Sequence, residues 1–229
     1  HDFPVHLAQQ LLFLHYLADK SNLFRNVIIK NLNVDWSIYT ASLLYNLGVR
    51  YACISPGARN SPLTYAFVEK SEIICYSHID ERSSAFFGLG IAKSTKRPVV
   101  LISTSGTAPA NFYPAVIEAS LSRAPLIILS ADRPDFLVGT GANQTIDQQN
   151  LYGNYVRYFS DVGLPKMEFD CLQRKLEKAF QNAAHVLAGC DGHDCCSDNV
   201  RCCSHLRNRV KKVLVWQTTN LLQPEVLLV

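Results

Sequence analysis

Short apolar runs alternate with longer segments of mixed character between about residues 35 and 188. Each run has the length of a strand, and its residues are apolar throughout instead of alternating with polar ones. That pattern is typical of strands whose two faces are both covered by helices. The sequence therefore predicts an α/β fold, a doubly wound parallel sheet with helices on both faces. The predicted strands are 49–54, 73–76, 99–102 and 126–129.

Residues that favour helix ends stand in the segments between the predicted strands. Asp35 can cap a first helix, which Gly48 would end. Asp80 can cap a later helix, and another is expected to run from the loop 104–107 to about Leu121. In such folds, ligands bind where loops leave the carboxyl ends of the strands. The loops in which we expect chemistry are therefore 55–61, 77–82, 103–108 and 130–147.

Polar residues in these loops give modest signals when each is taken alone. Arg59 and Arg133 each follow a strand, and guanidinium groups suit carboxylate ligands, although an exposed arginine is usually only solvated. The turn Thr104–Thr107 opens a helix whose amides can bind an anion, but many such turns need a glycine only for shape. Asn143 and Gln144 could bind a substrate or stabilise a turn.

Two carboxylates stand at the expected start of the helix after the second strand. Asp80 and Glu81 lie where the helix dipole favours negative charge, so capping alone explains both of them. His78, just before them, more often orders a loop than takes part in a reaction.

The composition is that of a folded protein without a large charged surface. Apolar residues make up 48% of the 229 and charged residues 18%, which excludes an intrinsically disordered chain. The net charge of +3 is too small to indicate a nucleic-acid-binding surface. No stretch approaches the roughly 20 apolar residues of a membrane span, so we expect a soluble, cytoplasmic protein.

The two ends of the chain differ from its middle. We predict an N-terminal extension over 1–33, the α/β domain over 34–188 and an atypical cysteine-rich tail over 189–229. The tail contains a strand-like segment near Val213–Trp216, but we expect 190–229 to pack poorly against the sheet. Because the chain begins with His1 and its composition changes abruptly at 189, we expect a fragment, a processed product or an aberrant gene product.

The eight cysteines are unevenly distributed. Cys53 and Cys75 stand in apolar runs, where a thiol is usually a small buried side chain, and Cys171 is isolated. The other five lie between residues 190 and 203 with histidines nearby, a composition that could bind zinc. Adjacent Cys-Cys pairs replace the two-residue gap of ordinary zinc sites, so we favour a tail without metal.

Five motifs occur in one order over ninety residues. They are Ser55-Pro56-Gly57-Ala58-Arg59, Asp80-Glu81-Arg82, Thr104-Ser105-Gly106-Thr107, Ala131-Asp132-Arg133-Pro134 and Gly141-Ala142-Asn143-Gln144-Thr145. This set resembles the N-terminal, pyrimidine-binding domain of the thiamine-diphosphate enzymes. More narrowly, it is similar to the family of 2-succinyl-5-enolpyruvyl-6-hydroxy-3-cyclohexene-1-carboxylate synthases. The resemblance covers about residues 34–165.

The resemblance implies a role for each motif. Glu81 would be the catalytic glutamate that hydrogen-bonds the ring nitrogen of the cofactor's aminopyrimidine and exchanges a proton with it. The reaction implied is decarboxylation of 2-oxoglutarate and addition of the product to isochorismate, in menaquinone biosynthesis. Both substrates are polycarboxylates, which guanidinium and amide donors suit. The residues implied to lie near the cofactor's pyrimidine are Ser105, Gly106 and Thr107, and those implied to line the substrate pocket are Arg59, Arg133, Asn143 and Gln144.

The sequence departs from the family's pattern in two places. Ala58 stands where the family usually has a serine, which removes one hydroxyl from the implied pocket. The family holds the cofactor's diphosphate and Mg²⁺ on a separate C-terminal domain through a Gly-Asp-Gly motif, and Cys190-Asp191-Gly192 lacks the first glycine. We therefore expect no metal site in this chain and no activity from it alone, whereas the full-length family forms dimers or tetramers. The alternative is a non-catalytic remnant or binding module of the same fold.

Overall fold

Six parallel strands form one sheet in the part of the chain that the structure, a computed structural model, describes: residues 31–184 and the backbone of 214–219. The strands are β1 (Tyr51–Ile54), β2 (Ile74–Ser77), β3 (Val99–Ser103), β4 (Leu126–Asp132), β5 (Tyr158–Asp161) and β6 (Leu214–Thr219). The helices are α1 (Leu32–Leu47), α2 (Ser61–Glu69), α3 (Glu81–Thr95), α4 (Thr107–Ala110), α5 (Tyr113–Ser122) and α6 (Asp170–Ala184).

The order of the strands creates a switch point next to β1. Across the sheet the order is β2-β1-β3-β4-β6-β5, and every neighbouring pair is parallel. The chain therefore moves from β1 to β2 on one side and returns to place β3 on the other side. In open parallel sheets the loops that diverge at such a point leave a crevice at the carboxyl ends of the strands.

Two apolar cores lie on the two faces of the sheet, as the uniformly apolar strands predict. Val100 and Ile102 of β3 pack into one core with α1, α2 and α6. Val99 and Leu101 pack into the other core with α3 and α5. Successive residues of β4 alternate between the cores in the same way. The predicted doubly wound α/β fold is thereby confirmed, although the edge strand β2 is less buried than β3 and β4.

Local sequence signals set several of the helix ends. Asp80 caps α3, because its Oδ1 accepts a hydrogen bond from the Ser83 amide at 2.7 Å. Gly48 follows the last residue of α1 at φ +119°, a conformation that glycine adopts without strain. The prediction that Asp35 caps α1 is wrong, because this helix begins at Leu32 and places Asp35 inside its first turn.

The helix predicted from the loop 104–107 to Leu121 is interrupted. Asn111 and Phe112 separate α4 from α5. Pro114 in the first turn of α5 has no amide hydrogen to donate to the preceding turn, so a continuous helix would lose a hydrogen bond there.

The strand β6 contradicts one prediction about the tail. Its six residues pair with β4 on one side, and β5 pairs with it on the other. The expectation that all of 190–229 packs poorly against the sheet is therefore wrong for 214–219, because both sides of this strand find backbone partners. The predicted domain bounds stay predictions, and both the extension over 1–30 and the cysteines of 190–203 lie outside the described residues.

Three cysteines lie in the described part. Cys53 is buried and Cys75 half-buried, and burial raises the pKa of each thiol to about 12. Cys171 is exposed. Within residues 31–184 and 214–219, no helix combines the length and apolar character that crossing a membrane requires.

Candidate active site at the carboxyl edge of the sheet

The loops that follow β1 and β3 touch at the switch point. The Ser55 amide donates to the Ile102 carbonyl oxygen at 2.8 Å, which extends the pairing of the two strands by one residue. A Cβ on Gly57 would lie only 2.7 Å from Cβ of Thr104, so a larger residue at 57 would push the loops apart. The Ser55 and Thr104 hydroxyls are buried and have no hydrogen-bond partner in the described part. This contact leaves two unsatisfied hydroxyls beside the crevice.

A buried asparagine fixes the turn that carries Arg59. Asn60 is fully buried, and its Oδ1 accepts from the Gly57 amide at 2.7 Å. Its Nδ2 donates to the Ser55 carbonyl oxygen at 2.9 Å. The backbone of residues 58–60 is thus held in one conformation, which places Arg59 at the carboxyl end of β1.

Arg59 and Arg133 bring two positive charges to this edge. Partial burial lowers the pKa of the Arg59 guanidinium, and the nearby charge of Arg133 lowers it further. Nε of Arg133 is buried and has no hydrogen-bond partner within the described residues. A buried guanidinium N–H without an acceptor favours an anionic ligand, since a carboxylate would supply both the acceptor and the opposite charge.

The loop after β4 closes over the turn after β3 at Gln144. Its Oε1 accepts a hydrogen bond from Nη1 of Arg59, and its carbonyl oxygen accepts from the Ser105 hydroxyl at 2.9 Å. Gly106 has φ +77°, and a Cβ there would lie 2.9 Å from the backbone of Gln144. The loops after β1, β3 and β4 therefore meet at one residue.

A second glutamine of the same loop makes the buried connection. Gln148 is 2% exposed, and its Oε1 accepts from the Gly106 amide at 2.8 Å. Its Nε2 donates to the Ala131 carbonyl oxygen at 3.1 Å and lies 3.5 Å from Oγ of Ser130. The side chain thus joins the turn after β3 to the end of β4.

Asp132 is a buried carboxyl beside Arg133. Burial raises its pKa to about 6, and the charges of Asp161, Asp135 and Asp147 act in the same direction. A hydrogen bond of 2.7 Å from the Arg133 amide opposes this shift, because it stabilises the ionised form. The net result is a carboxyl, next in sequence to Arg133, whose pKa lies above that of an ordinary aspartate.

Glu81 follows the carboxyl end of β2, in the first turn of α3. It is half-buried, and its side chain forms no hydrogen bond or salt bridge with any residue in 31–184. Asp80 supplies the cap of this helix, so the cap does not require Glu81. His78 precedes this helix, and its ring centroid lies 4.9 Å from that of Phe87. Burial lowers the pKa of His78. Nε2 of His78 is buried and has no hydrogen-bond partner in the described part.

Comparison with known proteins assigns this chain to a family. The family model described as "Thiamine pyrophosphate enzyme, N-terminal TPP binding domain" matches residues 36–151. The chain belongs to the thiamine pyrophosphate enzymes. Thiamine pyrophosphate is the same compound as thiamine diphosphate, so the family resemblance drawn from the motifs is confirmed.

Several relatives of this thiamine pyrophosphate enzyme carry the same name, 2-succinyl-5-enolpyruvyl-6-hydroxy-3-cyclohexene-1-carboxylate synthase. The protein from Haloarcula marismortui is 48% identical over 164 residues, which are 72% of this chain and 27% of that protein. The protein from Trichodesmium erythraeum is 47% identical over 160 residues, which are 70% of this chain and 27% of that protein. The protein from Crocosphaera subtropica is 52% identical over 143 residues, which are 62% of this chain and 24% of that protein. The chain thus spans about a quarter of the length of these relatives.

The predicted site residues of this thiamine pyrophosphate enzyme all follow strand ends at one edge of the sheet, but they do not form one network. Hydrogen bonds, close contacts and charge effects connect one group, which consists of Arg59, Ser105, Gly106, Arg133 and Gln144. Thr107 is exposed at the start of α4. Asn143 is also exposed, and its carbonyl oxygen accepts from the Thr145 hydroxyl at 3.2 Å. Their roles stay predictions.

Sequence reasoning missed two buried polar residues of the site. Gln148 stands in the polar run Asp147-Gln148-Gln149, where nothing in the sequence indicates which side chain is buried. Asp132 belongs to the motif Ala131-Asp132-Arg133-Pro134, but the motif does not indicate that its side chain is buried. Its burial follows from its place at the end of β4, a strand that is buried throughout.

The residues present fit the pyrimidine half of a thiamine pyrophosphate cofactor. A ring nitrogen needs a carboxyl partner, and the half-buried Glu81 carboxyl is not engaged by another described side chain. The polar rim near the switch point includes the unsatisfied Ser55 and Thr104 hydroxyls. In the described part, no group of three or more His, Cys, Asp or Glu residues could hold a metal ion.

Proposed function

We propose that this chain is the pyrimidine-binding part of a 2-succinyl-5-enolpyruvyl-6-hydroxy-3-cyclohexene-1-carboxylate synthase. The whole enzyme would be a transferase that decarboxylates 2-oxoglutarate and adds the product to isochorismate in menaquinone biosynthesis. The observation that carries this proposal is the convergence of Arg59 and Arg133, whose buried Nε lacks a partner in the described part, at the carboxyl edge of the sheet. The names of relatives that are about half identical to the matched region support it.

Substrate carboxylates would bind at the arginine pair. A carboxylate between Arg59 and Arg133 would accept hydrogen bonds from both guanidiniums and offset their mutual repulsion. The amides of Asn143 and Gln144 would add neutral donors at the rim of the same pocket. The turn Ser105–Thr107 would lie next to the pyrimidine ring of the cofactor.

Glu81 would act as the acid–base residue. When bound, thiamine diphosphate would supply the nucleophilic carbon that attacks the 2-oxo group. Glu81 would hydrogen-bond a pyrimidine ring nitrogen and exchange a proton with it, which requires a carboxyl without another strong partner. The cap supplied by Asp80 leaves Glu81 available for this role.

The rest of the enzyme would complete the site. We infer that the cofactor's diphosphate and Mg²⁺ are held outside the region that matches the N-terminal domain model, and that the full-length enzyme is a homo-oligomer. The apolar side chains of Ile79, Phe86 and Phe87, which are 78%, 44% and 43% exposed beside Glu81, support contact with another protein surface. A cytoplasmic location belongs to the same proposal.

Binding of 2-oxoglutarate tests the arginine pocket directly. Calorimetric titration of the 229-residue chain should show binding that Arg133→Met weakens about tenfold or more, the usual loss for a charge-assisted hydrogen bond. Arg97→Met, at an exposed arginine before β3, should leave the affinity unchanged. Equal affinity in wild type and Arg133→Met would contradict the pocket.

Proton exchange at the thiazolium carbon tests Glu81. The chain would be joined to the remaining domains of the Haloarcula relative, and exchange for deuterium followed by NMR. Glu81→Gln should slow exchange by about 10²–10⁴, the usual loss of a positioned acid–base group. Asp80→Asn, which can still cap α3, should exchange at the wild-type rate. If Glu81→Gln matches wild type, the catalytic role is refuted and a non-catalytic module becomes the better explanation.

A further inference from the structure

Gln148 occupies a position that requires both a hydrogen-bond donor and an acceptor. The Gly106 amide needs an acceptor and the Ala131 carbonyl oxygen needs a donor, and both groups meet the carboxamide of this one side chain. A methionine could not donate and would accept only weakly through its sulfur, and an ionised glutamate would accept but could not donate. Because Gln148 is buried, water cannot replace a lost partner without opening the loop.

The same loop carries Gln144, which contacts Arg59. From Gln144 to Gln148 the loop is fastened to the turn after β3 twice, through the Ser105 hydroxyl and through the Gly106 amide. The first attachment is partly buried, because it joins the buried Ser105 to the exposed Gln144, and the second is fully buried. Releasing the buried attachment would therefore free the segment that places the Gln144 amide on Arg59.

We propose that Gln148 is a positioning residue of the anion pocket. It holds the loop after β4 against the turn after β3, so that the Gln144 amide orients Arg59 opposite Arg133. The inference rests on the proposed function, because it takes the arginine pair to be a carboxylate-binding pocket. It adds to that function a buried residue that never touches the ligand but determines the affinity for it.

The experiment compares Gln148→Met, Gln148→Glu and the exposed neighbour Gln149→Met with wild type. Calorimetry gives the dissociation constant for 2-oxoglutarate, thermal unfolding gives stability, and amide hydrogen exchange reports on the backbone of 141–147. Gln148→Met should raise the dissociation constant about tenfold and speed exchange in that segment. Gln149→Met should change neither quantity by more than about twofold.

The pH dependence of Gln148→Glu separates positioning from general destabilisation. A buried glutamic acid that is protonated accepts and donates as the amide does, so lowering the pH from about 8 to about 6 should restore affinity relative to wild type at each pH. Comparison at each pH removes the effect of Asp132, which both proteins share.

Three outcomes would overturn the inference. If Gln148→Met is less stable but its folded form binds 2-oxoglutarate as tightly as wild type, Gln148 has only a structural role. If Gln148→Glu shows no recovery of affinity at low pH, donation to Ala131 does not matter for binding. If wild type binds no 2-oxoglutarate even when joined to the remaining domains of the Haloarcula relative, the arginine pocket is wrong and this inference falls with it, whereas the first two results leave the proposed function standing.

Discussion

Replacing Asp132 by asparagine should stabilise the protein, with a gain that depends on pH. The pKa of Asp132 is about 6 in the folded protein against 3.8 for an unperturbed aspartate, mainly because the carboxyl is buried. Folding therefore favours the protonated form, and the ionised form destabilises the native state as the pH rises from about 4 to about 6. Asparagine has nearly the same shape, and its Oδ1 can still accept from the Arg133 amide, but it carries no charge.

The size of the effect follows from the shift. About two pKa units correspond to about 3 kcal/mol, which is a ceiling, because solvent that reaches the carboxyl screens part of the cost. We expect Asp132→Asn to raise the free energy of unfolding by about 1–2 kcal/mol near neutral pH, with the gain shrinking steadily as the pH falls through 6 towards 4.

Urea unfolding of both proteins at several pH values between about 4 and 7 measures this gain. Asp135→Asn is the matched control, because it removes a neighbouring exposed carboxylate and should give a much smaller change of the same sign. A variant less stable than wild type near neutral pH, or a gain independent of pH, would refute the reasoning about Asp132.

Two pairs of glycine substitutions test the packing of the loops and of α3. Gly106→Ala should bind 2-oxoglutarate about tenfold more weakly, because its Cβ would lie 2.9 Å from the backbone of Gln144. Gly139 has nearly the same φ but open space around it, so Gly139→Ala should bind like wild type. Titration calorimetry compares the two, and equal affinities would show that the close approach at Gly106 does not shape the pocket. Gly88→Ala should destabilise the protein by about 1–3 kcal/mol, since its Cβ would lie 2.6 Å from Cδ2 of Leu101. Gly90 has open space around it, so Gly90→Ala should stabilise the protein by about 0.5–1 kcal/mol. Urea unfolding of both variants decides this, and a stabilised Gly88→Ala would mean that Leu101 repacks freely.

The regular part of the fold follows from short-range sequence signals. Uniformly apolar runs such as Val99–Ile102 predict buried parallel strands, and Asp80 and Gly48 mark helix ends, because each of these signals depends on neighbours in the chain. The start of α1 and the break before Pro114 were predicted less well, since competing signals stand within one turn of each other.

The partners of the site residues could not be predicted in the same way. The motifs indicated Arg59 and Gln144 as separate pocket residues. They did not indicate that the Arg59 guanidinium donates a hydrogen bond to the side-chain oxygen of Gln144. The burial of Gln148 depends on where a long loop folds back onto β3 and β4, which is a tertiary outcome without a local pattern. Sequence therefore indicated which edge of the sheet carries the candidate site, and the structure supplied the contacts among its residues.

The position of β6 has a consequence for how the chain acquires its structure during synthesis. In the described part of the sheet β5 pairs with β6, which itself pairs with β4. A ribosome releases β4, β5 and α6 well before it releases residues 214–219. Until then the exposed side of β4 has unpaired backbone groups, and β5 has no strand beside it. Co-translational folding can thus complete the four-stranded half β2-β1-β3-β4 early. The nascent chain keeps an open sheet edge, where aggregation competes with folding, until β6 emerges.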